Sequence, residues 1–439
     1  MASNDLSQKI LIVGAGCFGI STAYHLLKRG YSSITVLDRS ATLPAPDAAS
    51  TDINRMVRSS YSDPFYSKLC HEAIESWRDQ SEWPDVYRES GVLMGGAGYD
   101  PYTEAAYRTD LAMGARVRDL PDRAAIQAVL PPGVRTGLFR GYISRDGGWV
   151  DAAKATTTMT SKVIRMGGQV HAGKSVCSLV RNGGKTHGIE CADGTVFLAD
   201  LVIIATGSWT ASNFPDLRLE EKCVAAGQSV VTIQLTAEES ERYHGCPCMV
   251  NYKTGFYIFP PNKDNILKMG KHCGGHVNPV HISEGHRTIS VPRTASSHGD
   301  DGLRIPKSML QEIRALLAMT FPELAHRAFA STRLCWYTDT PDEDWIIGFY
   351  PGDEGLVIAT GGSGHAYKFL PVIGRLTADL ISGTLEPPLR KKFAVDRAFV
   401  PHEKTRSPSV MEVLDVSVLC SADDLVANRA FLASRPSRL

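Results

Sequence analysis

Lys9-Ile10-Leu11-Ile12-Val13-Gly14-Ala15-Gly16-Cys17-Phe18-Gly19 is the stretch that decides the fold. A short apolar run of strand length enters a glycine-rich turn. Phe18, Ile20, Ala23, Leu26 and Leu27 then recur at helical spacing up to Gly30, and a second strand over 34–37 ends on Asp38. Strand, Gly-x-Gly-x-x-Gly turn, helix, strand and acid make a dinucleotide-binding unit. Gly14 permits the tight turn, Gly16 lets a pyrophosphate approach the backbone, and Gly19 lets helix and strand pack closely. The helix N-terminus, around Phe18, adds N–H donors and a positive dipole for phosphate. Asp38, with Arg39 beside it, lies 24 positions after Gly14 and can accept from ribose hydroxyls. An acid there disfavours a 2′-phosphate, so FAD or NAD is expected rather than NADP.

The middle of the chain favours FAD. Val170, then 176–180, 188–191 and 196–198, alternate around Gly-Gly and Asp-Gly turns and read as a meander. The meander runs into Asp200-Leu201-Val202-Ile203-Ile204-Ala205-Thr206-Gly207, a buried parallel-type strand with a glycine exit. Two-domain flavoproteins have that order, and in them the turn ending at Gly207 returns to the cofactor. A simple nicotinamide dehydrogenase keeps its βαβ units consecutive. An ordinary strand exit is the rival reading of Ala205-Thr206-Gly207.

The composition fits a chain that folds around a sizeable core rather than a disordered one. The chain has 439 residues, 47 basic and 47 acidic side chains, and 43% apolar residues, enough for two or three domains with sizeable cores. Balanced charge argues against a nucleic-acid or anionic-membrane binder. No apolar run reaches the roughly 18 residues of a membrane span. The N-terminus lacks a charged-then-apolar segment, so secretion is not expected and the ten cysteines read as free thiols. Cys246 and Cys248 lack the second pair that a zinc site needs. His272, Cys273, His276, His281 and His286 form a histidine-rich stretch, but Gly274 and Gly275 break any helix that would align them, and no metal is expected.

Four clusters carry chemistry: Asn54-Arg55-Met56-Val57-Arg58-Ser59-Ser60-Tyr61; Tyr257 with Lys268-Met269-Gly270-Lys271-His272; Arg333-Leu334-Cys335-Trp336-Tyr337-Thr338-Asp339-Thr340-Pro341-Asp342; and Gly361-Gly362-Ser363-Gly364-His365-Ala366-Tyr367-Lys368. The last follows a strand over 356–360 and precedes a helix over 372–381. Together they resemble the flavin amine oxidases that include monomeric sarcosine oxidase, pipecolate oxidase, saccharopine oxidase and the fructosyl amine oxidases. The resemblance spans about residues 8–390, and its most specific part is the run from Cys335 to Asp342.

The resemblance implies that Cys335 carries FAD through a thioether. It implies that Arg58 and Lys368 hold a substrate carboxylate, and a forked guanidinium with a second cation suits that task. Arg55 matches a further arginine near the flavin, and Tyr257 and Tyr337 match tyrosines lining the pocket. Lys268 matches the lysine used for oxygen activation, where a fixed ammonium favours the negative charge that forms as O₂ is reduced. His272 occupies a place held by histidine in sarcosine and pipecolate oxidases and by an acid in fructosyl enzymes. Gly362 and Gly364, with Lys368 close behind, offer backbone N–H groups to the flavin at a helix start.

The expected fold is α/β: a discontinuous Rossmann-like FAD-binding domain (1–82, 150–220, 331–390), a β-rich (α+β) substrate domain (83–149, 221–330) and a C-terminal tail (391–439). Segment 83–149 carries few chemical side chains. The expected activity is oxidation of a secondary amine on an amino acid (N-methyl amino acid, pipecolate or saccharopine type), with O₂ as acceptor and hydrogen peroxide as product. A fructosyl amino acid oxidase is the alternative substrate reading, and a flavin dehydrogenase with another acceptor the alternative chemistry. The resemblance allows a monomer. Ser437-Arg438-Leu439 is close to Ser-Lys-Leu, so a peroxisomal import receptor and a peroxisomal location are expected.

Overall fold

The computed structural model describes residues 5–282, 287–400 and 410–426. At its centre is a six-stranded sheet in the order Ile346–Tyr350, Asp353–Thr360, Leu201–Ile204, Lys9–Val13, Ser33–Leu37, Gln169–His171. All neighbours are parallel except the first pair. A parallel sheet buries both faces, and the side-chain period of two divides the Lys9–Val13 strand between two cores. Ile10 and Ile12 pack under the helices Cys17–Lys28, Pro64–Arg78 and Ile373–Ile381. Leu11 and Val13 pack with Val176, Ile189 and Cys191 on the other side.

Those last residues belong to a three-stranded antiparallel meander, Val176–Asn182, Lys185–Cys191 and Val196–Leu198. Val170 is not part of it, contrary to the sequence reading. The Gln169–His171 strand joins the edge of the parallel sheet beside Ser33–Leu37. A strand this short has no alternation of its own, and its pairing is decided by a partner 134 positions away, as Val170 sits opposite Val36.

A second, larger sheet has the mixed character expected of the substrate side. Val224–Gln234 lies between Ile266–Lys271 and Ser331–Asp339, antiparallel to both. Beyond Ile266–Lys271 come Phe256–Ile258, Cys248–Val250, Val92–Gly96 and Arg140–Ser144. Alternation gives this sheet two different faces. Leu267, Met269, Val231, Ile233, Leu334 and Trp336 pack on the helix Lys307–Thr320. Lys268, Gly270, Thr232, Val230, Arg333 and Cys335 point the other way.

Two further expectations change. Residues 410–426 are not a loose tail: Glu412–Val413 pairs in parallel with His276–Val277, and Leu414 and Cys420 enter the core beneath the large sheet. Ser331–Asp339, placed by sequence with the FAD-binding pieces, pairs over its full length with Val224–Gln234, so a boundary at 330/331 runs between hydrogen-bonded neighbours. Among the described residues, no helix is long and apolar enough to cross a membrane.

Candidate active site

A cavity of about 860 Å³ opens over the C-terminal ends of the parallel strands. That is where an open α/β sheet binds its ligand, and the size lies within the usual range for small-molecule pockets. Gly14, Gly16 and Phe18 line it, with Asp38 and Arg39 on one side and Gly207 on another. Asp38 is already engaged: its Oδ2 accepts from Ala15 N at 2.9 Å and its Oδ1 from Ser40 N at 2.9 Å. The acid therefore shapes the glycine turn, and each oxygen keeps a lone pair for a further donor. The Arg39 guanidinium lies 4.0 Å from the Trp209 ring centre, a flat cationic wall.

The residues fit a dinucleotide. Gly14 has φ +107°, and a Cβ there would sit 2.4 Å from Ala205 O, so only glycine allows this approach. At the other end of the cavity Gly364 has φ +73°, and a Cβ would meet Cε2 of Tyr337 at 2.4 Å. Gly362, Gly364, Tyr337 and Arg55 line that end. The turn 361–364 does not start the long helix directly. The chain passes through a short 3-10 turn, Tyr367–Phe369, before the helix Ile373–Ile381 begins.

Arg55 leads into a buried polar cluster. It lies on a three-stranded sheet, Arg55–Val57 beside Gly148–Val150. Its Nη2 is 3.0 Å from the Sγ of Cys335 and 2.7 Å from Ala49 O, and its Nη1 donates to Asp52. The same Asp52 oxygen accepts from Lys268 Nζ at 2.7 Å, and Lys268 also donates to Asn54 O at 2.8 Å. Arg333 closes the group by donating to the carbonyls of Thr51, Ala48 and Pro46.

Burial opposes ionisation of Asp52, but the cations of Arg55, Lys268 and Arg333 outweigh it and hold its carboxyl below the usual range. Lys268 is 1% exposed. Burial pulls it down to about 8, with Asp52 resisting and Arg55 adding to the fall. Burial raises the Tyr257 phenol well above its usual value. Tyr257 faces Gly270, and the His272 ring lies 6.4 Å from that of Tyr337. One sheet face thus collects Lys268, Tyr257, His272, Cys335 and Tyr337 around Arg55.

Arg58 and Lys368 form a second group. Arg58 follows the Arg55–Val57 strand, and its guanidinium lies 4.7 Å from the Tyr61 ring and 5.2 Å from the Tyr252 ring. Its Nη1 donates to Ser60 O. Lys368 Nζ lies 5.1 Å from the same Tyr61 ring. Among the described residues neither cation pairs with a carboxylate, although both are buried. Two buried basic side chains on one ring, with no protein carboxylate beside them, make a site for an anion.

The structure therefore brings the predicted residues into two groups: Arg55 and Tyr337 line the dinucleotide cavity, Lys268 lines a second pocket with Thr232 and Arg333, and Lys368 follows Ala366 and Tyr367, which line the first. Sequence reasoning missed Asp52, whose only signal is that two buried cations need a counter-charge. It also passed over Tyr102 and Asp110, in the segment thought chemically quiet. Tyr102 OH donates to Ser60 O at 3.4 Å and lies beside the Arg58 guanidinium, and Asp110 accepts from the hydroxyls of Ser59 and Ser60, at 2.8 Å each. Among the described residues no group of side chains could hold a metal ion. His286 and the terminal Ser437-Arg438-Leu439 lie outside the described residues.

A family model described as FAD dependent oxidoreductase matches residues 9–380. The chain is 30% identical to L-saccharopine oxidase of Schizosaccharomyces pombe, over 87% of this chain and 91% of that protein. It is 24% identical to peroxisomal sarcosine oxidase of Homo sapiens, over 86% of this chain and 93% of that one. It is similar to the crystal structure of a fructosyl amine:oxygen oxidoreductase (Amadoriase I) of Aspergillus fumigatus, with TM-score 0.81 and 26% identity over 95% and 97% of the two chains.

Proposed function

Because the chain belongs to the FAD dependent oxidoreductase family, we propose that it is an oxidase of secondary amines on amino acids, of the N-methyl amino acid, pipecolate or saccharopine type. The products are an imine and hydrogen peroxide. The observation that carries this reading is the buried pair of basic side chains, Arg58 and Lys368, beside the dinucleotide cavity and without a protein carboxylate.

FAD, when bound, would supply the two-electron acceptor for the C–H bond next to nitrogen, with O₂ as the final acceptor. The glycine turns at Gly14–Gly19 and Gly361–Gly364 would hold it by backbone N–H groups, and Asp38 and Arg39 would flank its adenosine end. Cys335 is the proposed attachment point. The Arg55 guanidinium donates to that sulfur at 3.0 Å and fixes its position. Arg58 and Lys368 hold the substrate carboxylate, which fixes the reacting carbon relative to the pocket. Tyr257 and Tyr337 give apolar walls that exclude water. Lys268 keeps a positive charge at the oxygen-reducing side, fixed in place by Asp52 and Asn54 O.

A fructosyl amino acid oxidase is the second reading, favoured by the similarity to Amadoriase I. His272, beside Tyr337, argues against it, because the resemblance associates an acid at this place with sugar adducts. A peroxide-coupled screen across N-methyl amino acids, pipecolate, saccharopine and fructosyl-lysine separates the two. Turnover that needs an artificial acceptor and gives no peroxide would replace the oxidase by a dehydrogenase. The proposal includes a peroxisomal location, supported by a relative named peroxisomal sarcosine oxidase and by the product's need for catalase nearby. An N-terminal fluorescent fusion should co-localise with catalase, and a diffuse signal would remove that part.

A further inference from the structure

Lys368 has a set of partners that holding an anion does not require. Its Nζ donates to Tyr61 OH at 2.7 Å and to His365 O at 2.8 Å. Tyr61 OH lies 3.1 Å from His365 Nδ1, and His365 Nε2 lies 2.9 Å from Glu343 O. A carbonyl only accepts, so neutral His365 carries its proton on Nε2 and offers Nδ1 as an acceptor. Tyr61 therefore donates to His365 and accepts from Lys368. The Lys368–Tyr61 and Tyr61–His365 hydrogen bonds thus run one way, from lysine through phenol to imidazole.

The chain sits in an aromatic box. The Trp345 ring stacks on His365 at 5.5 Å, and Tyr66 and Phe369 pack on Tyr61. The groups facing Lys368 are Arg58, Tyr61, Cys70 on the helix Pro64–Arg78 and Cys17 on the helix Cys17–Lys28. Around Arg58 lie Tyr102 and Tyr252, with Asp110 committed to Ser59 and Ser60. A lysine 5% exposed, beside a guanidinium and lacking an anion, is better off as the amine than as the ammonium. Burial first and Arg58 second hold it well below the ordinary lysine range. A docked carboxylate reverses the balance.

We propose that Lys368, Tyr61 and His365 form a proton-transfer chain, in which Lys368 is the neutral amine in the free enzyme and becomes the ammonium as the substrate carboxylate docks. This rests on the reading that Arg58 and Lys368 hold that carboxylate. An amino acid arrives with a protonated amine, which has no lone pair to expel a hydride. Lys368 takes that proton: the substrate N–H bond breaks, a new N–H bond forms on Nζ, and the substrate is left as the neutral amine. After turnover Nζ returns its proton to Tyr61 oxygen while the phenol proton moves to His365 Nδ1. The half-buried imidazole is the point of release to water. Lys368 thus touches substrate, and Tyr61 and His365 act through it.

Calorimetric titration of the FAD-loaded enzyme with methoxyacetate, a carboxylate with an ether in place of the amine, tests this. The titration is run at one pH in buffers of different ionisation enthalpy. Binding should take up a proton from the buffer. Lys368→Arg, which is always charged, should bind without uptake, and Lys368→Met should bind more weakly and without uptake. Tyr61→Phe should keep affinity while lowering kcat, with KM little changed and a larger solvent deuterium effect. Binding by the wild type without proton uptake overturns the chain but leaves the carboxylate assignment standing. An unchanged kcat in Tyr61→Phe also overturns it. Absence of any methoxyacetate binding overturns both the chain and the carboxylate assignment.

Discussion

Replacing Asp52 by Asn removes one charge and keeps the shape. In the structure its Oδ2 receives Lys268 Nζ at 2.7 Å, with Arg55 on the same oxygen. At an effective dielectric of 20, two charges so close attract by about 6 kcal/mol. Desolvation of both partners offsets most of that. A charge-assisted hydrogen bond retains a net ~1.5–3 kcal/mol, which corresponds to about one to two pKa units. Lys268 stands at about 8, so it should fall to about 6–7 in the variant.

The sign follows from the charged form being the low-pH form. A lysine with a lower pKa loses its charge at lower pH. At pH 8 about half of the wild-type Lys268 is charged, against roughly a tenth or less in the variant. Reoxidation of reduced flavin by O₂ at pH 8 should then slow by at least about fivefold, and the two proteins should converge near pH 5.5. Stopped-flow mixing of anaerobically reduced enzyme with oxygenated buffer over that range reads this directly, with reduction by substrate as the internal control. Coincident pH profiles, or an equal loss at every pH, would refute the role given to the Asp52–Lys268 pair.

Lys268→Met should slow the oxygen step by about 10²–10³-fold, the usual cost of losing one preorganised donor, and spare reduction by substrate; an unchanged oxygen step removes Lys268 from the mechanism. Cys335→Ala should release its flavin on acid denaturation, whereas the wild type retains it; wild-type protein that loses all its flavin overturns covalent attachment. Arg58→Ala should weaken carboxylate inhibitors by ~1.5–3 kcal/mol, about 10- to 150-fold in Kd, measured by titration of the flavin spectrum. Gly364→Ala must place a Cβ against the Tyr337 ring at φ +73°, a strain of about 1–3 kcal/mol; a lowered Tm and weaker flavin binding are expected, and a variant matching the wild type in both contradicts the close packing.

Local chemistry was what the sequence made legible. The Lys9–Val13 strand and the helix behind it follow from apolar spacing and glycine placement, which act over a few residues. Cys335, Lys268, Arg55, Tyr257 and Tyr337 could be named because each sits in a run with a family resemblance, although Arg55 and Cys335 are 280 positions apart. Asp52 left no such mark, since a carboxylate in a polar loop has no period and its purpose shows only once two cations are seen beside it. Tyr102 and Asp110 looked like ordinary members of the helix Pro101–Ala112, whose role depends on what the helix packs against. Val170 departs from its local pattern for the same reason: non-local pairing overrides local pattern in a three-residue strand.

The order of strands in the parallel sheet has a consequence for biosynthesis. Lys9–Val13 emerges from the ribosome first, yet one of its two neighbours is Leu201–Ile204, which in turn waits for Asp353–Thr360. At ~5–20 residues per second the interval from the first strand to the last of these is about 20–70 s. Throughout it, apolar strands with open hydrogen-bonding edges are exposed to other nascent chains. Lower growth temperature or a co-expressed holding chaperone should therefore raise the soluble yield.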